Sequence, residues 1–219
     1  MRLQGAIFDM DGTLLNSMPM WRNMGDNFLK SRGMEPRENI WKDIRPLTLS
    51  DMAVYYKKAY DFPESPGELR HLMEAQIEDF YKNQVLAKPG VEKFLSLLKM
   101  DGVKMYIATA TGRELTEAGL KHAGIYDYFK GIVTCAEAGE NKKDSAIVFE
   151  RALKRLNCDK NNTVVFEDSL AAIRTAKNAG FRVAGVYDAE WDAEQDEIRG
   201  LSDYYIRSFE DFYQEFKRD

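Results

Sequence analysis

The chain has 219 residues, of which 44% are hydrophobic and 31% charged, with a net charge of −5. That length and balance allow one core domain carrying an insert and exclude collagenous, disordered and repeat architectures. The acidic balance, with no basic run or basic-plus-aromatic cluster, argues against a nucleic-acid partner.

No apolar stretch approaches the ~20 residues of a membrane span, and the amino terminus enters a strand without a leader pattern, so a cytoplasmic protein with no membrane partner is expected. Cys135 and Cys158 form neither a CxxC pair nor a disulfide framework and read as buried thiols. His71 and His122 have no partner at metal-ligand spacing. Oligomeric state is left open, a monomer being the simpler expectation.

The first element is an apolar run, Ala6-Ile7-Phe8, that reads as a buried strand, followed at once by Asp9 and Asp11 and by the turn signal Asp11-Gly12. Acids at the carboxyl end of a strand in an open parallel sheet sit where ligands bind. Two apart on a continuing strand, they would also point the same way and crowd their charges. A solvated strand end and an ordinary turn account for the pair equally well when it is taken alone.

Residues 17–86 read as helical. Met20, Trp21, Met24 and Phe28 form one apolar stripe that breaks at Arg32-Gly33, Ser50 is the expected N-cap of the helix carrying Met52, Tyr55, Tyr56 and Ala59, and Ser65-Pro66-Gly67-Glu68 is a capping box. From Lys88 onward strands and helices alternate. A helix from Pro89 precedes a strand with Val103, Met105 and Ile107 that stops at Thr109; a helix over 113–123 precedes the strand at 131–134; a helix over 144–156 precedes Thr163-Val164-Val165-Phe166, which ends in Glu167-Asp168. Ser169 is the expected cap of the next helix, Val183-Ala184-Gly185-Val186 and Tyr204-Tyr205-Ile206 are strands, and a terminal helix carries Phe209, Phe212 and Phe216. The fold class is therefore α/β: a Rossmann-like, mostly parallel sheet with helices on both faces and an inserted all-helical domain. The core comprises residues 1–16 and 87–219, and the helical insert, 17–86, is placed in the sequence to act as a lid.

Further polar groups collect at strand ends. Thr109 precedes a helix, and its hydroxyl with that helix's free N–H groups suits a phosphate, although threonine also merely caps helices. Lys142 and Lys143 precede another helix, where cations oppose the macrodipole, and a solvated pair is the ordinary alternative. Glu167-Asp168 repeats the acidic pair of the first strand, helix capping being its ordinary explanation.

In order, Asp-x-Asp-Gly-Thr from Asp9, then Thr109, then Lys142-Lys143, then Glu167-Asp168-Ser169 resemble the four motifs of the haloacid dehalogenase-like (HAD) superfamily over nearly the whole chain. The Phe-Glu-Asp-Ser form of the last motif is similar to the branch holding β-phosphoglucomutase and many small-molecule phosphatases, and the insert resembles that branch's small α-helical cap. Up to four carboxylates at one crevice repel by about 4 kcal/mol per close pair at an effective dielectric of 20, so a cation is needed, and all-oxygen ligation favours Mg²⁺. The resemblance implies an enzyme that hydrolyses a small phosphorylated substrate. Asp9 would be its nucleophile, Asp11 the proton donor and later base that lends its backbone carbonyl to the metal, and Asp168 a metal ligand with Glu167 at or beside the metal shell. Thr109, Ala110 and Lys143 would hold the phosphoryl group.

Departures from the family pattern are Ala110, where asparagine is frequent, and Asn16, where aspartate is. A mutase would want a histidine near Trp21 and a Ser-Arg pair near Thr48-Leu49, so a phosphatase is the expected activity. A phosphomutase on the same site and a non-enzymatic module that accepts phosphate on Asp9 are the alternatives; Asp11 weighs against the module, because a general acid/base beside the nucleophile hastens turnover.

Overall fold

A computed structural model describes residues 3–44, 47–140 and 143–210. Strand β1 (Gly5–Phe8) is followed by helices α1 (Met18–Ser31), α2 (Ile40–Ile44), α3 (Leu49–Tyr60) and α4 (Pro66–Asn83). Then come α5 (Val91–Met100), β2 (Lys104–Thr109), α6 (Arg113–His122), β3 (Ile132–Thr134), α7 (Cys135–Ala138) and α8 (Ile147–Leu156). The series ends with β4 (Thr163–Glu167), α9 (Leu170–Asn178), β5 (Arg182–Val186), α10 (Gln195–Leu201) and β6 (Tyr204–Ile206). The chain divides into two compact units, one of Met1–Ser17 with Val85–Asp219 and one of Met18–Gln84. No helix among the described residues is long and apolar enough to cross a membrane.

The first unit is built on a sheet of six strands in the order β3-β2-β1-β4-β5-β6, every adjacent pair parallel. The chain walks from β1 outward through β2 and β3, then returns to the other side of β1 for β4. That reversal is the switch point at which the loops leaving neighbouring strands part and open a crevice. Register brings Phe8 level with Ile107 on one side and Phe166 on the other. Asp9, Thr109 and Glu167 consequently leave the sheet at the same edge.

Alternation along the strands feeds two cores. Phe8 and Phe166 stack with centroids 4.3 Å apart and receive the edge of Phe94 from α5. On the opposite face Ile7, Val165 and Val183 pack with Val148 and Phe149 of α8, Ile173 of α9 and Ile198 of α10. Each fully buried side chain of this size contributes about 1.5–3 kcal/mol, so the central strands are the most firmly held part of the unit.

The helical unit has its own core, in which Phe28 of α1 stacks on Tyr56 of α3 at 5.7 Å and meets Phe62 at 5.9 Å. Gly25 allows this approach: a methyl group there would lie 2.3 Å from Ile44 Cδ1 and 2.4 Å from the Tyr56 hydroxyl. The capping box at Ser65 and Glu68 forms in both directions, with Pro66 in the first turn of α4.

Several boundaries differ from the sequence expectation. Helix α3 is capped by Thr48, whose hydroxyl accepts from Asp51 N, and not by Ser50, which lies inside the helix. Helix α8 starts at Ile147, three residues after Asp144, because residues 143–146 form bends and a turn that carry Lys143. The short α7, with a Thr134–Glu137 capping box, and α10 are both additional to the elements read from the sequence. Ser169 occupies the N-cap position of α9 but makes no side-chain cap bond. Of the cysteines, Cys135 is buried and Cys158 only half-buried, both as free thiols. The expected terminal helix lies, beyond Glu210, outside the described residues.

Candidate active site

Asp9 follows β1 directly, and its amide still donates to Phe166 O at 2.9 Å, so the ladder persists through the residue and fixes the direction of its side chain. The chain then folds back: Met10 O accepts from the amides of both Leu14 and Leu15, and Gly12 takes the left-handed conformation (φ 77°) that this tight return requires. Asp11 is thereby lifted out of strand geometry. Its carboxylate accepts from Ser17 Oγ and from Thr111 Oγ1, each at 2.6 Å.

Asp9, Glu167 and Asp168 are all buried, and each offers a carboxylate oxygen within 4.8 Å of the others. Of the up to four carboxylates expected to converge, three form this group, and the Asp11 carboxylate accepts instead from Ser17 and Thr111, the turn at Gly12 having ended the strand alternation that would have aligned it with Asp9. Lys143 ion-pairs with both Asp9 Oδ1 and Glu167 Oε1, and its ammonium lies 5.8 Å from the ring centroid of Phe149 on α8. Lys142 lies outside the described residues. Glu167 Oε2 accepts from the Ser169 amide at 2.9 Å, so the acid supplies the helix-start bond that the Ser169 side chain does not. Asp168 accepts from Thr13 Oγ1 at 2.9 Å and from the Trp191 indole N–H at 2.6 Å.

Thr109 is buried, and its hydroxyl accepts from Thr111 N at 3.1 Å. Helix α6 begins later, with Gly112 at its N-cap, so Thr109 is not a helix cap. Ala110 is exposed in the loop between them. The Lys88 ammonium binds the carbonyls of Gly12 and Tyr187 and ion-pairs with Asp188 at 2.8 Å, tying the first-strand loop to the loop after β5.

Three buried carboxylates against the single ammonium of Lys143 leave an excess of negative charge. Burial raises the pKa of Asp168 well above the carboxylate range, with Glu167 and Asp9 adding to the rise and Lys88 and Trp191 opposing it. Burial also raises Glu167, against the pull of Lys143. For Lys143 burial acts downward, but the carboxylates of Asp9 and Glu167 outweigh it and hold the ammonium above its ordinary value. A dication would neutralise such a group, and an oxygen-only donor set suits a hard one. The residues therefore fit a divalent metal held by Asp9, Asp168 and, at its margin, Glu167. The neighbouring Cys135 thiol, pushed up to about 11 by burial, is no competing nucleophile at neutral pH.

Thr13, Ser17, Thr111, Trp191 and Lys88 were not assigned from the sequence. Thr111 carried a signal, lying two residues beyond Thr109 on the same side of an extended chain. Nothing local marks Ser17 or Lys88, and Trp191 stands out only as an aromatic amid Asp188, Glu190 and Asp192.

A family model described as haloacid dehalogenase-like hydrolase matches residues 6–186. A phosphorylated carbohydrates phosphatase of Thermotoga maritima is 24% identical over 185 residues, covering 84% of this chain and 85% of its own. Pyrophosphatase PpaX of Bacillus velezensis is 27% identical over 189 residues, with coverage of 84% and 83%. A crystal structure of a candidate β-phosphoglucomutase from Thermotoga maritima superposes with a TM-score of 0.82 over 99% of both chains; at 22% identity that likeness speaks for the fold alone.

Proposed function

The chain belongs to the haloacid dehalogenase-like hydrolases, and we propose that it is a Mg²⁺-dependent phosphatase of a small phosphorylated metabolite that works through an aspartyl-phosphate on Asp9. The observation that carries this reading is the position of Asp9: a buried carboxylate at the switch point, ion-paired with Lys143 and within ligand distance of Glu167 and Asp168. The phosphatase relatives support phosphoric monoester hydrolysis as the reaction.

In the first step an Asp9 oxygen attacks phosphorus, the bond from phosphorus to the leaving oxygen breaks, and Asp11 gives that oxygen its proton. In the second, ionised Asp11 takes a proton from water, the water oxygen bonds to phosphorus, and the bond to Asp9 breaks to free phosphate and regenerate the carboxylate. Ser17 and Thr111 hold Asp11 so that one group performs both transfers. Thr109, the Ala110 amide and Lys143 stabilise the charge on the phosphoryl oxygens. When bound, the metal neutralises the carboxylates and polarises the phosphoryl group.

Hydrolysis is favoured over phosphomutase chemistry by the helical unit, where the groups aligned with a mutase's sugar-holding positions are otherwise engaged. Trp21 donates its indole N–H to Tyr81 at 3.0 Å, and Thr48 is spent on capping α3, its hydroxyl also bonded to Asp51 at 2.6 Å. Sugar and polyol phosphates are the substrates to try first, since one relative is named for phosphorylated carbohydrates. The reading includes a monomer working in a reducing cytoplasm, in keeping with two free thiols.

Steady-state release of phosphate from p-nitrophenyl phosphate tests the proposal. Activity should vanish in EDTA, return with Mg²⁺ and be inhibited by Ca²⁺, whose larger and looser shell would misplace Asp9. Full activity in EDTA, or none under any metal across a panel of phosphorylated metabolites, would overturn it.

A further inference from the structure

The loop after β5 lies outside the four motifs yet meets the candidate metal ligands. Its 3₁₀ segment Ala189–Glu194 breaks helical geometry at Trp191 (φ −102°, ψ 24°), a backbone region in which active-site residues are often found. Four hydrogen bonds fix that kink. Asp188 caps it by accepting from Glu190 N at 2.9 Å; the nearly buried Gln195 donates to the carbonyls of Asp188 and Trp191 at 3.2 and 3.3 Å; and Tyr205 holds Gln195 Oε1 at 2.7 Å. Lys88 clamps Asp188 and Tyr187 from the other side. The product of this scaffolding is one short hydrogen bond, from the Trp191 indole to Asp168 Oδ2 at 2.6 Å, opposite the Thr13 hydroxyl on Oδ1 at 2.9 Å.

We propose that Trp191 is a positioning residue for metal binding, its indole N–H fixing the Asp168 carboxylate in the orientation that ligates the cation. The inference rests on the phosphatase reading only for the metal that Asp168 holds. Indole is a donor with no acceptor function, so it engages an ionised carboxylate in one sense only, and a carboxylate has about four lone-pair sites, enough to accept from Thr13 and Trp191 and still ligate. Outer-shell donors of this kind typically govern metal affinity by about 10–100-fold. A bond made merely to quiet a buried carboxylate would show up in stability and leave metal affinity unchanged.

The test compares wild type, Trp191→Phe and Asp168→Ala as full-length proteins. Mn²⁺ binding is followed by electron paramagnetic resonance and Mg²⁺ binding by calorimetry without substrate, alongside Tm without metal and the Mg²⁺ dependence of kcat. Trp191→Phe should weaken metal binding by about tenfold or more and recover most of kcat at saturating Mg²⁺, whatever the change in metal-free Tm. Wild-type metal affinity in Trp191→Phe, or a rate loss that no Mg²⁺ concentration restores, would overturn the inference. Wild-type affinity in Asp168→Ala would instead overturn the metal site itself, so the two failures are distinguishable. Should Trp191→Phe not fold, the Trp21→Phe/Trp41→Phe background leaves Trp191 as the sole tryptophan. Its emission should then change with the dissociation constant found by calorimetry, and a spectrum indifferent to saturating metal would refute the role.

Discussion

Thr111 donates its hydroxyl hydrogen bond to Asp11 at 2.6 Å, across 100 residues of sequence. With Ser17 on the other oxygen, it holds the Asp11 carboxylate, while Asp9, Glu167 and Asp168 form their own group. A hydrogen bond to a charged group is worth about 1.5–3 kcal/mol, so Thr111→Val should lower kcat/KM on the order of 10–100-fold. Thr111→Ser, which keeps the hydroxyl, should stay close to wild type. Equal rates for the two variants would show that Asp11 needs no such support.

Lys143 is the sole cation bonded to Asp9 among the described residues. Lys143→Ala should cost about 2–4 kcal/mol in kcat/KM, the range for a well-placed electrostatic donor, while Lys142→Ala should be near neutral. Kinetics of the two single mutants decide this, and a large loss confined to Lys142 would contradict it.

The raised pKa values of Glu167 and Asp168 make a statement about stability without metal. Between the ordinary carboxylate range and the raised folded values, the folded chain binds more protons than the unfolded one. These two groups therefore favour folding at acidic pH and withdraw that support as pH rises through their folded pKa values. Lys143, raised in the folded state, acts the same way only at alkaline pH. The Tm gain on adding Mg²⁺ should accordingly grow from pH 4 toward neutrality. Asp168→Asn should melt about 2–4 °C higher than wild type in EDTA at pH 7, the shift that ~1 kcal/mol produces at this size, and should lose most of its response to Mg²⁺. A metal-free Asp168→Asn protein that melts below wild type would count against charge crowding.

What could be read from the chain, and what could not, follows from range of interaction. Strand tips carrying Asp9, Thr109 and Glu167-Asp168 were legible because β-branched and apolar runs end abruptly in polar residues, a local pattern. Most of the surrounding groups were not: Trp191 and Lys88 reach the site through tertiary packing, Ser17 meets Asp11 only once the chain has turned back, and the spacing of Thr111 from Thr109 does not reveal its bond to Asp11. Local competition misled as well: Thr48 and Ser50 are both competent N-caps, and only in the folded chain does Thr48 take Asp51 N. Thr48→Ala should therefore destabilise the helical unit by about 1 kcal/mol, whereas Ser50→Ala should be nearly neutral. Denaturant midpoints for the two variants check this, and the reverse order would restore Ser50 as the cap.

Covalent chemistry at Asp9 is the central claim, and trapping the phosphoenzyme tests it most directly. Asp11→Asn lacks the base for the second step, and with p-nitrophenyl phosphate the first step needs little acid help, so the intermediate should accumulate. Acid quench followed by mass spectrometry should find one added phosphoryl group on the peptide containing Asp9, with no label and no turnover in Asp9→Asn. Near-wild-type turnover in Asp9→Asn, or a phosphoryl group on a residue other than Asp9, would contradict the account.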